Sequence, residues 1–525
     1  MKGRFGRAML GAAQWVGRRE ITEPAFPRLA LSSWTATLSE AAPLRRRVLV
    51  TAFRNHTWIE WAVYAACHLR RLGVATTLVY SGSEVRRLYP MDRLAGLRAV
   101  GFWAGVDAIP DLRTIDLDDW RPTSEEAEGY REFARQFAPT VAAYDLHVEE
   151  DEEGPLASRY RRARVHAEEQ LADTGAAIER IMGMNPVSRV VCYSGLIGRS
   201  PAVCEAARRV GIEVLTVEGW KVRPGHMICN LNEPALESNV EEWLRATGPW
   251  GPSEEERALK MLHFQERGAV EEETATFGVV HRVQRTSTEA PLPPRIEAFY
   301  ARPGPRFLLA PNVVGDSAML RRRAAFRNQR DWLSATIPFF KAHPQWNLVV
   351  RAHPDEMWIK SKVVVRMGDV AVGYAEDAPN VLVIGGEEDV SSYALMRGLT
   401  GGLVWCSSIG ADLVARGIPV IAAARPKYHE LGLTQVPQSR EAYLTTLERH
   451  VATPPKVTLE QRERALRYLH MIFADFSFEA FSPSYRARDL FLLGPESPAD
   501  ADLFYRIVAG DLPPETPPRR EGRAS

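Results

Sequence analysis

Residues 402–424, GLVWCSSIGADLVARGIPVIAAA, contain a strand, a turn, a helix and a second strand in immediate succession. The apolar runs GLVW and IPVI have the composition of strands buried on both faces of a parallel sheet. Between them, IGADLVARG is typical of a short helix that stops at its last glycine. This unit therefore predicts an α/β protein with a parallel sheet covered by helices.

The same alternation extends from this unit towards both ends of the chain. The preceding segments RFLLAPN, NLVVRAHP and NVLVIGG read as strands, and QRDWLSATIPFFKAH and SSYALMRG read as helices. Near the N-terminus, RRVLVTAF and VATTLVY flank the helical TWIEWAVYAACHLRRLG, and the pattern returns in SRVVCYSG, PAVCEAARRVG and IEVLTVEG. The sequence predicts two Rossmann-like domains that face each other across a cleft.

The predicted domain boundaries follow from composition. Residues 291–305 carry five prolines and suit a semi-rigid linker. Glu- and Arg-rich residues at about 120–185 predict a helical insertion, whose charge run VEEDEEG we expect to be a solvated surface. The N-terminal domain is predicted at residues 46–290, after an arm of residues 1–45, and the C-terminal domain at residues 306–475. C-terminal helices are expected at residues 476–510 and a disordered tail at residues 511–525.

Bulk composition excludes several classes of protein. Hydrophobic residues make up 45% of the 525 residues and charged residues 25%, as in ordinary globular proteins. Lys plus Arg equal Asp plus Glu at 66 each, so nucleic acid is not an expected partner. The five cysteines are scattered and match no zinc pattern, so we expect reduced thiols. No Asp-x-Asp arrangement with strand context demands a metal, and we expect neither a metal site nor a cofactor.

Localisation is predicted from apolar runs and from the N-terminus. No run approaches the roughly 18 apolar residues needed to span a bilayer, which favours a cytoplasmic protein. The first nineteen residues, MKGRFGRAMLGAAQWVGRR, mix basic and apolar side chains, a composition that could bind the inner face of the membrane peripherally. A solvated, frayed terminus is the alternative.

Two polar residues end the predicted strand NLVVRAHP. Arg351 and His353 should lie at the carboxyl edge of the second sheet, where such sheets bind ligands. Both side chains can donate hydrogen bonds to phosphate oxygens. A purely structural role for His353 is the alternative.

A second group lies at the start of the helix in IGADLVARG. Ser407 and Ser408 combine hydroxyls with free backbone N–H groups, which predicts an anion site, and Gly410 would let a ligand approach the backbone. Asp412 could accept hydrogen bonds from ribose hydroxyls, although an acidic residue is common in a first helical turn. We expect neighbouring strands to present this group and His353 to the same crevice, and such an arrangement suits a diphosphate or a nucleoside monophosphate.

The stretch from Pro305 to about Leu433 resembles bacterial capsule-polysaccharide glycosyltransferases, especially the Kdo transferases, and more distantly the bacterial sialyltransferases that use CMP-sugars. The matching segments are LLAPNVVGDS, RAHPDE, GEEDVSSYALM, CSSIGADLVARGIPVI and KYHELGLT. The resemblance implies the two-domain GT-B architecture and a donor-phosphate contact for His353, Ser407 and Ser408. These families usually have Gly-x-Glu-Ala where this chain has Gly-Ala-Asp-Leu from Gly410.

Transfer of a sugar needs a base for the acceptor hydroxyl and positive surroundings for the departing phosphate. Glu218, at the end of IEVLTVEG, is the first candidate for the base, and His56 after RRVLVTAF is the second. Asp316 in NVVGDS is a further candidate. The Glu218-Gly219 pair resembles the end of the acidic-acidic-glycine motif of bacterial sialyltransferases, with Val217 in place of the first acid.

Together with these residues, the resemblance implies a metal-independent, inverting glycosyltransferase. The expected donor is a nucleotide-sugar, with a CMP-sugar favoured, and the expected acceptor is a surface or capsule polysaccharide or a glycolipid. One alternative is a phosphotransferase that resembles the CDP-glycerol polymerases of teichoic-acid synthesis. Another is a non-catalytic nucleotide-binding scaffold.

Overall fold

The computed structural model describes residues 43–53, 56–88, 109–154, 156–219, 226–237, 292–358, 365–472, 478–480 and 501–512, with the single positions 106, 240, 244, 251, 252 and 255. The basic segment for which membrane contact is predicted lies outside this part of the chain. No helix among the described residues combines the length and apolarity that a bilayer crossing requires.

The N-terminal domain is built around a seven-stranded sheet in the order β12-β6-β5-β4-β1-β2-β3. Its strands are β1 (Arg46–Ala52), β2 (Val74–Tyr80), β3 (Arg113–Asp116), β4 (Arg189–Tyr193), β5 (Val214–Gly219), β6 (His226–Leu231) and, from the end of the chain, β12 (Phe478–Glu479). Its helices are α1 (His56–Arg71), α2 (Gly82–Leu88), α3 (Ser124–Glu128), α4 (Arg131–Leu146), α5 (Ala157–Met184) and α6 (Ser200–Arg209). Strands β1 to β5 are parallel, whereas β6 and β12 run antiparallel to their neighbours.

The C-terminal domain has a five-stranded, fully parallel sheet in the order β11-β10-β7-β8-β9. Its strands are β7 (Arg306–Ala310), β8 (Asn347–Arg351), β9 (Val381–Ile384), β10 (Gly401–Val404) and β11 (Val420–Ala422). Its helices are α7 (Pro294–Tyr300), α8 (Gln329–Lys341), α9 (Asp355–Trp358), α10 (Met367–Ala375), α11 (Ile409–Ala415), α12 (Arg440–Ala452) and α13 (Leu459–His470). The two Rossmann-like domains predicted from the strand pattern are thus confirmed.

Both sheets are covered on both faces, as their apolar strands predict. Along β1, Val50 and Leu49 are fully buried but belong to different apolar clusters, because successive side chains point to opposite faces. The cluster that contains Val50 also contains Leu308 of β7. The two domains therefore share one continuous apolar core.

The end of the chain returns to the N-terminal domain. β12 pairs with β6, and helix α14 (Ala501–Ala509) packs on α1, where the rings of Tyr505 and His68 stack 4.0 Å apart. Asp511 then forms ion pairs with Arg45 and Arg46. The segment expected to be C-terminal helices thus begins with a strand of the first sheet, and Asp511 of the expected disordered tail is held by two arginines.

Two short segments differ from their predicted structures. The proline-rich linker contains α7, because Pro294 occupies the first helical turn, where a proline needs no N–H partner. The Tyr300 hydroxyl fixes this helix by donating to the carbonyl of Leu395 at 2.6 Å. The predicted helix SSYALMRG contains only a single 3₁₀ turn, Ala394–Met396.

The acidic run VEEDEEG, which follows α4, joins the two domains. The Glu149 carboxylate accepts hydrogen bonds from the backbone N–H groups of Gln329 (2.5 Å) and Arg330 (3.2 Å) at the start of α8. The buried carboxylate of Glu152 pairs with the Arg330 guanidinium at 3.0 Å. The expectation of a solvated surface is wrong for Glu149 and Glu152, because their partners lie about 180 residues further along the chain, whereas the Glu153 side chain is 74% exposed.

Candidate functional site

A cavity of about 270 Å³ lies where the carboxyl ends of the two sheets meet, and we call it the cleft cavity. Glu218, at the end of β5, forms part of its wall from the N-terminal domain. From the C-terminal domain, the wall includes Asp316 after β7, His353 after β8, and Ser407 and Ser408 after β10. The structure therefore brings together two of the candidate bases, Glu218 and Asp316, and three of the residues predicted to bind the donor.

The strands that carry the donor-binding residues are not neighbours. β8 and β10 lie on either side of β7, so the expectation that they are adjacent is wrong. Asn312, which follows β7, fills the gap: its side-chain oxygen accepts a hydrogen bond from the Cys406 N–H at 3.2 Å. Its own N–H donates to Gln329 Oε1 at 2.7 Å. The loop after β7 thus holds the backbone directly before the two serines.

The hydrogen bonds of His353 define its chemistry. Its Nδ1 accepts a hydrogen bond from the backbone N–H of Asp355 at 3.1 Å. The neutral ring therefore carries its proton on Nε2, which makes that atom a hydrogen-bond donor. About a third of the side chain is exposed, so a ligand oxygen in the cleft cavity can accept from it.

The two serines precede α11, a helix of seven residues. Ser408 is the residue before the helix, but its side chain forms no capping hydrogen bond. The Ser407 carbonyl accepts a hydrogen bond of 2.7 Å from the Tyr428 hydroxyl, which also lines the cavity. The hydroxyl of Ser408 is therefore not used to cap the helix, and the backbone of Ser407 is held by a tyrosine.

Gly410 and Asp412 have structural surroundings. A Cβ atom on Gly410 would lie 2.1 Å from the Tyr428 hydroxyl, so this glycine makes room for the tyrosine rather than for a ligand. Asp412 is only 3% exposed and lies 3.8 Å from the Arg416 guanidinium on the same helix. Asp412 is not part of the cavity wall, so the predicted contact with a ribose is not seen here.

Arg351 also points away from the cleft cavity. Its guanidinium donates to the backbone carbonyls of Gly385, Glu388 (3.2 Å) and Val390 (2.9 Å). Burial lowers the pKa of Arg351 to about 10, and the nearby acidic side chains oppose that shift. This arginine fastens the loop after β9, so the arrangement gives no support to the predicted phosphate contact.

Of the three predicted catalytic residues, Glu218 and Asp316 line the cleft cavity. Ser317 Oγ donates to Glu218 Oε1 at 3.2 Å, a contact between the two domains. The Asp316 carboxylate accepts from the Ala318 N–H at 3.1 Å and faces the same cavity. His56 is the first residue of α1, but its side chain lies outside the described part of the chain.

Sequence reasoning missed Lys427, which lies in the wall of the cleft cavity. Desolvation and then the charge of Arg322 lower its pKa to about 8, although Glu218 and other nearby carboxylates oppose the shift. Lys427 begins KYHELGLT, shortly after β11, so the rule that ligands bind at the carboxyl ends of strands could have identified it. At neutral pH this ammonium supplies the positive charge that a phosphate needs.

Several known proteins are similar to this chain, although a search of curated proteins gave no match. One solved structure is the beta Kdo 2,7 transferase KpsC of Thermosulfurimonas dismutans, with 13% identity, 56% of this chain and 89% of that chain covered, and a TM-score of 0.31. The beta Kdo 2,4 transferase KpsC of the same organism has 16% identity, covers 54% and 88%, and has a TM-score of 0.33. The UDP-GlcNAc 2-epimerase of Neisseria meningitidis bound to UDP-GlcNAc has 10% identity and a TM-score of 0.26. The match covers 82% of this chain and 97% of that chain.

A family model provides the stronger comparison. Residues 263–466 match the family described as Capsule polysaccharide biosynthesis protein. The matched stretch contains all five strands of the C-terminal sheet, together with His353, Ser407 and Ser408. The expected resemblance to proteins of capsule-polysaccharide synthesis is thereby confirmed over these residues.

Proposed function

We propose that the chain is an inverting glycosyltransferase that transfers a sugar from a nucleotide-activated donor, with a CMP-sugar favoured, to a capsule or surface polysaccharide or a glycolipid. One observation carries the proposal: Glu218 of one domain and His353 and Ser408 of the other line the same cavity. A base and a phosphate-binding group are the two requirements of sugar transfer.

The C-terminal domain would hold the donor phosphate. His353 Nε2 and the Ser408 hydroxyl are hydrogen-bond donors to phosphate oxygens. The Lys427 ammonium adds a positive charge at the same wall. As the bond between the anomeric carbon and the phosphate oxygen breaks, this charge stabilises the departing nucleotide phosphate.

Glu218 would act as the general base. Its carboxylate takes the proton of the acceptor hydroxyl while that oxygen forms a bond to the anomeric carbon and the nucleotide leaves from the opposite face. A single displacement of this kind inverts the anomeric configuration. Because Lys427 provides the countercharge, we propose that no divalent metal is required, so activity should persist in excess EDTA.

The first experiment is a thermal-shift screen of the full chain against CMP, CDP, UDP, GDP and ADP. A ligand that binds only the folded state stabilises it, by about 2.7 kcal/mol at a concentration 100 times its Kd. We expect stabilisation by a cytidine nucleotide, lost in His353→Ala and retained in His166→Ala, which removes an exposed histidine on α5.

The outcomes separate the alternatives. Stabilisation by UDP or GDP instead would contradict the CMP-sugar donor and keep the transferase. No stabilisation by any nucleotide would overturn the proposal. Turnover of a cytidine-activated donor to a nucleotide and a free sugar supports glycosyl transfer, whereas release of glycerol phosphate would identify a polyol-phosphate transferase.

A further inference from the structure

A second cavity, of about 430 Å³, lies between the same two domains. Its C-terminal wall is cationic and consists of Arg321, Arg322, Arg425 and His429. We call this cavity the arginine pocket. The N-terminal domain contributes the carboxylates of Glu233 and Glu237 and an apolar patch of Phe137, Leu196 and Pro234.

The arginine pocket and the cleft cavity share a wall. Arg322 pairs with Glu237 across the domains at 2.8 Å, and both side chains line the arginine pocket. The Arg322 guanidinium also donates to the carbonyls of Leu236 and Ala318, each at 3.3 Å, and these two residues line the cleft cavity. The Arg322–Glu237 ion pair therefore lies in the wall between the arginine pocket and the cleft cavity.

The charges of the arginine pocket do not balance. Glu237 is paired with Arg322, whereas neither Arg321 nor Arg425 forms an ion pair with any carboxylate in the described ranges. Burial, and then the charge of Glu237, raise the pKa of Glu233. The arginine pocket thus has three guanidinium groups against two carboxylates, and this excess of positive charge suits an anionic ligand.

Arg321 and Arg425 are both held in position. The Arg321 guanidinium lies 4.0 Å from the centre of the Phe137 ring, a cation–π contact between the domains. The backbone N–H of Arg425 donates to the Arg322 carbonyl at 2.8 Å. The backbone of Arg321 has a φ of +58°, a conformation that non-glycine residues seldom adopt and that is enriched at functional sites.

We propose that the arginine pocket binds the anionic end of the acceptor, a saccharide that carries a carboxylate or a phosphate. The inference rests on the proposed function, since the acceptor hydroxyl has to reach Glu218. The shared wall provides the link: Arg322 contacts Ala318, and the adjacent Ser317 donates to Glu218. The apolar patch suits the face of the sugar ring, and the guanidinium groups suit the planar, bidentate binding of an oxyanion.

The test uses small probes and the full chain. Binding of glucuronate, glucose 6-phosphate and glucose is measured by ligand-observed NMR on the wild-type protein, Arg321→Gln, Arg425→Gln and the double variant. We expect one or both anionic sugars to bind more tightly than glucose, and each single variant to weaken that binding on the order of tenfold. Whichever anion binds identifies the carboxylate or the phosphate as the recognised group.

The control is Arg162→Gln, which removes an exposed arginine on α5 and should leave binding unchanged. Equal binding of glucose and the anions, no anion binding by the wild-type protein, or full anion binding by the double variant would overturn the proposal. Thermal-shift measurements with nucleotides on the same variants distinguish the two sites. Nucleotide stabilisation should survive in the double variant, and its loss there would show that the arginines belong to the donor site.

Failure of the proposed function has a different signature. If no nucleotide stabilises the wild-type protein while the arginine variants still lose anion binding, the donor site is refuted and the anion site stands.

Discussion

Ser317 Oγ donates a 3.2 Å hydrogen bond to Glu218 Oε1, although the two residues are 99 positions apart and belong to different domains. This contact lies in the wall of the cleft cavity, between the end of β5 and the loop after β7. It fixes the orientation of the carboxylate proposed as the base. It also means that the N-terminal acid is positioned by the domain that would hold the donor.

Removal of this hydroxyl should slow the reaction without weakening donor binding. In Ser317→Ala, the Glu218 carboxylate loses a hydrogen bond that contributes roughly 1.5 kcal/mol, so we expect kcat to fall about tenfold. The KM for the donor should change little, because Ser317 positions the base and not the nucleotide. Steady-state kinetics check this, and Ser317→Thr should restore most of the rate.

The matched control for this substitution is Ser158→Ala, at an exposed position on α5, which should have wild-type kinetics. A Ser317→Ala enzyme with a raised donor KM and an unchanged kcat would contradict the positioning role.

The second prediction concerns the stability of the helix after β10. In Gly410→Ala, the new methyl group would lie 2.1 Å from the Tyr428 hydroxyl, so we expect the free energy of unfolding to fall by about 1–3 kcal/mol. Adding Tyr428→Phe removes the hydroxyl and should recover part of this loss. Urea denaturation of the single and double variants measures both effects.

Gly183→Ala is the control for helical propensity, because a Cβ there meets no atom within 4 Å. It lies in α5 and should stabilise the protein slightly, by up to about 1 kcal/mol. Equal stability of Gly410→Ala and wild type would show that Tyr428 can move aside.

Arg351 should matter for stability and not for the donor. Arg351→Met removes the donor to three backbone carbonyls, and we expect the free energy of unfolding to fall by about 1–3 kcal/mol. The nucleotide affinity of the folded protein should stay within twofold of wild type, as measured by calorimetry. A tenfold loss of affinity would instead place this guanidinium on the donor phosphate. Arg162→Met, at an exposed site, should leave both quantities unchanged.

Local sequence patterns predicted most of the architecture. GLVWCSSIGADLVARGIPVIAAA contains β10, α11 and β11 in the expected order, because burial on both faces of a parallel strand leaves a continuous apolar run. The position of β12 could not be predicted. It has two residues and pairs with β6 about 250 positions away, so no local periodicity marks it.

The site was predictable only in part, and for a physical reason. His353 and Ser408 follow strands of one parallel sheet, and the carboxyl ends of parallel strands lie at the same edge, so both residues were expected at that edge. The same rule placed Arg351 there, but a sequence pattern does not show which lateral neighbours a side chain will meet, and the carbonyls after β9 bind it. Ser317 was missed because its partner, Glu218, lies on the other domain.

The last prediction concerns pH. Because burial lowers the pKa of Lys427 to about 8 from its usual 10.5, this side chain loses its positive charge as the pH rises through 8. Nucleotide affinity should therefore be highest below pH 8 and fall above it.

Without nucleotide, the unfolded state binds more protons than the folded state between about pH 8 and 10.5, so the free energy of unfolding contributed by Lys427 should rise across that window. Calorimetry measures the nucleotide affinity and urea denaturation measures the free energy of unfolding, both from pH 6.5 to 10.5.

Lys427→Met should have weak nucleotide binding at every pH and lose both trends, whereas Lys456→Met, at an exposed site, should keep them. If affinity in the wild-type protein does not change across pH 8, Lys427 does not bind the donor phosphate.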